Sequence, residues 1–211
     1  MTTALAAAIR RPRSRILRLL LKPGNVLPAL VWMFLVVNQA VNSGFPPSPS
    51  TGGLLLINTT AMVLFVVRRD ATKVGSPLDG AIALAGTFIV SALHDAGQLK
   101  DAELLPTAVQ AVGVAGWAVS LSYLGRSFGI VAADRGLVAR GPYAVVRHPI
   151  YAFEALFFVG YMIAVPEPRT FLIIGAWAAL QVLRILREEA IIEGYSEYKT
   201  RVRWRILPFV W

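Results

Sequence analysis

Not one cysteine occurs in the 211 residues, which excludes disulfides, a thiolate metal site and a cysteine nucleophile. Charge is scarce too: 16% of residues are charged, where an ordinary soluble domain has about a quarter. Acidic residues are the scarcer kind, 12 against 21 basic ones, for a net charge of +9. With 56% hydrophobic residues and a mean hydropathy of +0.60, the surplus apolar surface must face lipid. A dinucleotide-type glycine fingerprint is also missing. Gly113 and Gly116 in AVGVAGWAV have no strand before them and lie inside an apolar helix, where small residues serve close helix packing. His94 and Asp95 have no partner at metal-ligand spacing and are read as interfacial polar residues; no metal is expected.

What is present is a set of six apolar segments, at Val26 to Val41, Leu54 to Val67, Leu78 to Leu93, Ala108 to Leu124, Ile150 to Val165 and Thr170 to Leu186. Each lies near the lower limit of about 17 to 25 residues for a spanning helix. The predicted fold is an all-α integral membrane protein, a bundle of five to six transmembrane helices. Pro166 to Arg169 join the last two segments, predicting a tight C-terminal helical hairpin over 150–186. The five-span version leaves one segment flat or re-entrant.

Charge placement predicts the orientation. If all six segments cross, one side holds nineteen basic residues and the other only Lys100 and Arg169. The positive-inside rule then puts both termini in the cytoplasm, in the cell (inner) membrane, and no nucleic acid is needed to explain the charge. Residues 1–25 form a basic segment in which Arg13, Arg15, Arg18 and Lys22 alternate with leucines and Ile16. This suits either a short helix in the headgroup layer or a flexible cationic tail. Its apolar stretch precedes the basic residues, the reverse of a signal peptide, so it is expected to be retained. Four helices are expected over 26–125, and a catalytic region with a cytoplasmic tail over 126–211.

Two stretches carry chemistry. In SFGIVAADRGLVARGPYAVVRHPIYAFEA, Pro149 suits the first position of a helix, with His148 at the cap and Tyr151 in the first turn. That N-terminus favours a carboxylate or other anion. The structural alternative is that Arg147 snorkels, His148 caps and Tyr151 joins the aromatic belt. In RILREEAIIEGYSEYKTRVRWRILPFVW, Arg184 and Glu188 share a helix face, while Glu189 points about 100° away. Glu188 is therefore the glutamate expected beside Arg184. Glu154 falls one turn after Tyr151 inside an apolar segment, and should face the protein interior unless it is shallow enough to stay wet.

Taken together, LVARGPYAVVRHPIY, a short hairpin, RILREE and YSEYKTRVRWRILPFVW resemble the isoprenylcysteine carboxyl methyltransferase family and its bacterial relatives, with phospholipid methyltransferases as more distant cousins. The resemblance covers 126–211. It implies S-adenosylmethionine as cofactor and S-adenosylhomocysteine as product. Arg135, Gly136, Leu137 and Val138 would supply a strip of largely backbone contact, followed by Tyr143, then by His148, Pro149, Ile150 and Tyr151, with Glu188 closing the pocket. Arg184 matches the family arginine beside the carboxylate that accepts the methyl. The acceptor is expected to be a lipophilic small molecule or lipidated substrate reached from membrane lipid. An ionised carboxylate needs no general base, so it is preferred over an amine, for which only His148 and Glu154 offer themselves as bases. A small transporter and a non-catalytic relative are the rival readings. Between Glu189 and Tyr195 the chain is shorter than in the eukaryotic enzymes.

Overall fold

A computed structural model describes residues 23–42, 49–93 and 104–211. The expectations for the basic segment up to Lys22, for His94 and Asp95, and for Lys100 fall outside these residues. Among the described residues there are seven α-helices: α1 (Pro23–Asn42), α2 (Pro49–Val67), α3 (Pro77–Phe88, continued by a 3-10 turn Ile89–Ala92), α4 (Leu104–Leu124), α5 (Pro149–Ala164), α6 (Pro168–Ile191) and the short α7 (Tyr195–Arg201). Proline opens α3, α5 and α6, where its missing N–H costs no helical hydrogen bond and its fixed φ is already helical. Ser76 and Asp79 form a reciprocal capping box on α3.

By length and apolarity three helices suffice to cross a membrane: Gly24–Asn42, Leu104–Ser127 and Pro168–Ile191. Three shorter apolar helices, Thr51–Val67, Pro77–Ala92 and Pro149–Ala164, accompany them. Exposed Leu27, Phe34, Leu56, Leu84, Val112 and Leu172 clothe the outside of the bundle in aliphatic and aromatic carbon, as a lipid-facing surface requires. The architecture is that of an all-α membrane protein.

Hydrogen bonds show which helix ends lie together. Arg68, just past α2, donates to Asn25 Oδ1 at 2.9 Å and to the Gly24 carbonyl near the start of α1. Arg126, just past α4, donates to the Val67 carbonyl at 2.9 Å, and Arg69 N donates to Arg126 O at 2.7 Å. A two-residue antiparallel ladder pairs β1 (Lys73–Val74) with β2 (Ala133–Asp134). At the start of α3, Asp79 lies 3.6 Å from Arg187 near the end of α6. At the other end of the bundle Arg169 donates to Ala92 O at 2.9 Å. The helices thus alternate in direction. Arg68, Arg69, Lys73, Arg126, Arg135, Arg140, Arg147, Arg187 and the basic residues after α6 collect at one end. The opposite end holds Arg169 alone among the described residues.

The closest helix pair is α4 with α5. A Cβ on Gly113 would lie 2.7 Å from the Phe157 nitrogen, and one on Gly116 would fall inside the Phe153 ring, 2.1 Å from its nearest carbon. These glycines let the helix backbones approach, as small residues do within a bilayer. The short connection expected between the last two segments is present. Val165 to Glu167 do join α5 to α6, but α5 beds on α4 and α6 on α3. The two legs meet through long side chains, Phe158 on Trp177 with ring centroids 4.7 Å apart and Tyr151 on Glu188. A cavity lined by Tyr151, Glu154, Phe157 and Phe158 occupies the space beside them.

Gly113→Ala should therefore destabilise the bundle by about 1–3 kcal/mol through overpacking. Gly175→Ala, on α6 with no atom within 4 Å of the added carbon, should not. Thermal unfolding of both variants in detergent checks this.

Candidate active site

The cavity has a volume of about 510 Å³, and its lining runs from Arg135 and His148 at the basic end to Leu54, Leu93 and Tyr161 towards the other. Trp32, Leu35, Ile57, Phe88, Trp117, Leu121, Phe157 and Phe158 wall its inner limb. The outer limb is polar and is built from four pieces of chain.

The first piece is the loop 129–138. Its path depends on Asp134, whose carboxylate accepts from Gly136 N at 2.9 Å and from Glu193 N at 3.0 Å, tying the loop to the segment after α6. Gly136 turns the chain at φ +91°, a conformation that side chains disfavour. The Arg135 guanidinium lies over Gly129, where an added Cβ would be 2.5 Å from it. Burial, reinforced by Arg68, lowers the Arg135 pKa to about 10, so it stays cationic at neutral pH. The second piece is the 3-10 turn Gly141–Ala144. Tyr198 donates to the Tyr143 carbonyl at 2.5 Å, and the buried Tyr143 hydroxyl has no protein partner. Burial raises the Tyr143 phenol well above its ordinary value, with Glu188 adding to the effect, and raises Tyr198 to about 12. Both are neutral donors at physiological pH.

The third piece is the start of α5. Pro149 is its first residue, and His148 at the cap makes no side-chain capping bond. The His148 ring instead meets Glu189 Oε1 at 3.2 Å and the Tyr195 hydroxyl at 3.0 Å. The first-turn N–H groups are thus left without a side-chain cap. The fourth piece is the end of α6. Glu188 accepts from the Tyr151 hydroxyl at 2.5 Å and lies 3.9 Å from Arg184. Arg184 donates through Nη1 to Gln181 Oε1 and through Nη2 to Ile130 O, both at 3.0 Å, with its guanidinium 5.2 Å from the Tyr151 ring centroid. Its buried Nε has no protein acceptor. Glu154 faces the same space, its carboxylate 3.5 Å from Gln181 Nε2.

Of the residues singled out in the sequence, Arg135, Gly136, Leu137, Val138, Tyr143, His148, Ile150, Tyr151, Arg184 and Glu188 all line the cavity. Pro149 does not: it is fully buried at the helix start and acts on the site only by placing its neighbours. Sequence reasoning missed four contributors. Glu189 points away from the cavity, yet it binds Arg205 through Nε at 3.0 Å and Nη2 at 3.1 Å, Arg147 at 3.2 Å, and the Tyr195 hydroxyl at 3.1 Å. Tyr195 and Tyr198 complete the wall. The spacing of Glu189 from Arg205 gives no local signal of this contact, but its position one residue round the helix from Glu188 places it on the face that the tail covers. Asp134, in the run ADRG, had a readable cue as the acidic residue before a turn glycine.

A model of the phospholipid methyltransferase family matches residues 106–197. The matched stretch contains α4 from Pro106 on, the loop, α5, α6 and most of the polar limb. It stops before the tail and leaves α1 to α3 outside. No curated protein matches the chain. The family match points to a membrane methyltransferase of the group that also includes the isoprenylcysteine enzymes.

Removing the Glu189 carboxylate leaves Arg147 with a buried charge and frees Arg205. Glu189→Ala should cost roughly 3–5 kcal/mol, as breaking a buried ion pair does. It should also speed hydrogen exchange at the Arg147 and His148 amides, which now donate to the tail carbonyls of Trp204 and Arg205 at 2.8 Å each.

Proposed function

We propose that this protein is an S-adenosylmethionine-dependent methyltransferase of the cell membrane, with its basic end in the cytoplasm, acting on a lipophilic acceptor. The observation that carries this reading is the joining of two unlike limbs in one cavity, a polar one at the basic end and an apolar one reaching into the bundle.

The residues of the polar limb fit the cofactor. The uncapped start of α5 suits its carboxylate. Glu188 suits its amine, and the unpartnered Tyr143 hydroxyl suits a polar group of the nucleoside. The strip Arg135 to Val138 offers main-chain groups and the Leu137 and Val138 side chains. When bound, S-adenosylmethionine supplies an electrophilic methyl on a sulfonium. The chain's own contribution is positioning and exclusion of water: Tyr151 orients Glu188, Gln181 and the Ile130 carbonyl hold Arg184, and the aromatic wall keeps the inner limb dry.

For the acceptor, the first reading is a carboxylate held by Arg184, whose Nε remains available. A second reading, an amine-headed lipid, is favoured by Glu154 in the same space and by the match to phospholipid methyltransferases. In the second case Glu154 would face the ammonium and accept its proton before transfer.

Titration calorimetry in nanodiscs should detect S-adenosylhomocysteine binding; absence of heat with correctly folded protein would sink the proposal. Glu188→Ala and His148→Ala should each weaken that binding about tenfold or more, equivalent to about 1.4 kcal/mol. Arg184→Ala should leave binding within about threefold and cut turnover roughly a hundredfold, the scale of losing one preorganised electrostatic donor. Turnover of Glu154→Gln on isoprenoid and prenyl-thio acids against aminophospholipids separates the two acceptors. Turnover of aminophospholipids that Glu154→Gln abolishes would establish the second reading; turnover of the acids alone, with none of the amines by either protein, would establish the first.

A further inference from the structure

Beyond the cavity, the segment after α7 has a composition and shape that the methyltransferase reading does not use. Residues 205–211 fold into a closed loop: Arg205 N and Ile206 N donate to Trp211 O at 2.7 and 3.0 Å, and Val210 N and Trp211 N donate to Leu207 O. Four of its backbone N–H groups are satisfied within the loop, while its apolar side chains point outward. Leu207 is 55% exposed, Val210 74% and Phe209 86%. Phe209 holds φ +66°, the one positive value at a non-glycine among the described residues, which a bulky side chain adopts only at a cost. A strained backbone that presents three apolar side chains to water is a poor arrangement in an aqueous setting.

The placement of the loop supplies its partner. The Trp204 and Arg205 carbonyls accept from Arg147 N and His148 N, the residues that open α5, so the loop sits at the depth where an apolar helix leaves the bilayer. Trp204 rests against Phe209 at 5.2 Å, and Arg205 stacks over Trp211 at 4.9 Å. Tryptophan and arginine stems are the side chains that suit the headgroup boundary. Lys199, Arg201 and Arg203 stand exposed beside them, Arg201 also reaching Glu197 at 3.8 Å.

We propose that the tip Leu207 to Val210 inserts into the headgroup and acyl boundary of the cytoplasmic leaflet, with Lys199, Arg201 and Arg203 on the phosphates of anionic phospholipids. Docking holds the tail down. Because the tail pairs with Arg147 and His148, the lipid surface thereby steadies the cap of α5. The partner is the bilayer, not another protein. Polybasic contacts of this kind contribute most on anionic membranes.

The absence of cysteine allows a direct test on the full chain. Single-cysteine variants Val210→Cys, Leu207→Cys and Lys199→Cys are spin-labelled in nanodiscs of phosphatidylcholine with phosphatidylglycerol, and collisional access to oxygen and to a water-soluble nickel chelate is measured. Labels at 207 and 210 should favour oxygen over the chelate, and the label at 199 the chelate. Access to the chelate at 210 equal to that at 199 would overturn the proposal. So would shielding from both reagents, which would mean that protein, including a second copy of this chain, covers the tip. Replacing the mixture by phosphatidylcholine alone should shift the 210 label towards water. Arg203→Gln with Lys199→Gln should abolish that lipid dependence, and a label indifferent to lipid charge would refute the role of the basic residues.

Discussion

One carboxylate holds the functional end of the molecule together. Glu189 takes a forked pair of hydrogen bonds from Arg205 and lies within 3.2 Å of Arg147, of the His148 ring and of the Tyr195 hydroxyl. Through Arg147 and His148 it fixes the entry to α5, through Arg205 the tail, and through Tyr195 the start of α7. In the low dielectric of a half-buried site such a cluster is worth having only when its members are mutually satisfied. Several of them are, and the consequence is that His148 is drawn away from capping α5. The start of α5 is left without a side-chain cap.

The glutamate beside it has the opposite task. Glu188 faces the cavity, oriented by Tyr151 and near Arg184, so two successive residues about 100° apart on one helix divide the structural carboxylate from the one on the cavity wall. Arg184 and Glu154 lie between that ligand limb and the aromatic limb. A reaction joining a water-borne donor to a membrane-borne acceptor needs this order of environments. In an apolar surround charged groups attract more strongly.

How far this was readable beforehand depends on the range of each interaction. Helices were legible because apolar runs act locally, as does Pro149 at the start of α5, and the side on which basic residues gather followed from counting passes. Glu188 was separable from Glu189 by the turn of one helix. The cavity lining between Arg135 and Tyr151 came from the motif resemblance, and the geometry puts those residues together, Pro149 excepted. Other features depend on contacts distant in sequence. Asp134 meets Glu193 across 59 residues, and the tail meets Arg147 across 56. The splay of the α5 and α6 legs was likewise hidden, because it is decided by how deeply α5 sinks against Gly113 and Gly116 rather than by the short connection. The two-residue ladder of β1 with β2 is too brief to leave a periodic trace.

The central claim is that the polar limb, and not the apolar one, receives the cofactor. Hydrogen exchange of the full chain in nanodiscs, with and without S-adenosylhomocysteine, tests it most directly. The account predicts slower exchange in 129–151 and 188–198 and little change along α1 and α2. Protection confined to the helices of the apolar limb, or none at saturating ligand, would contradict it.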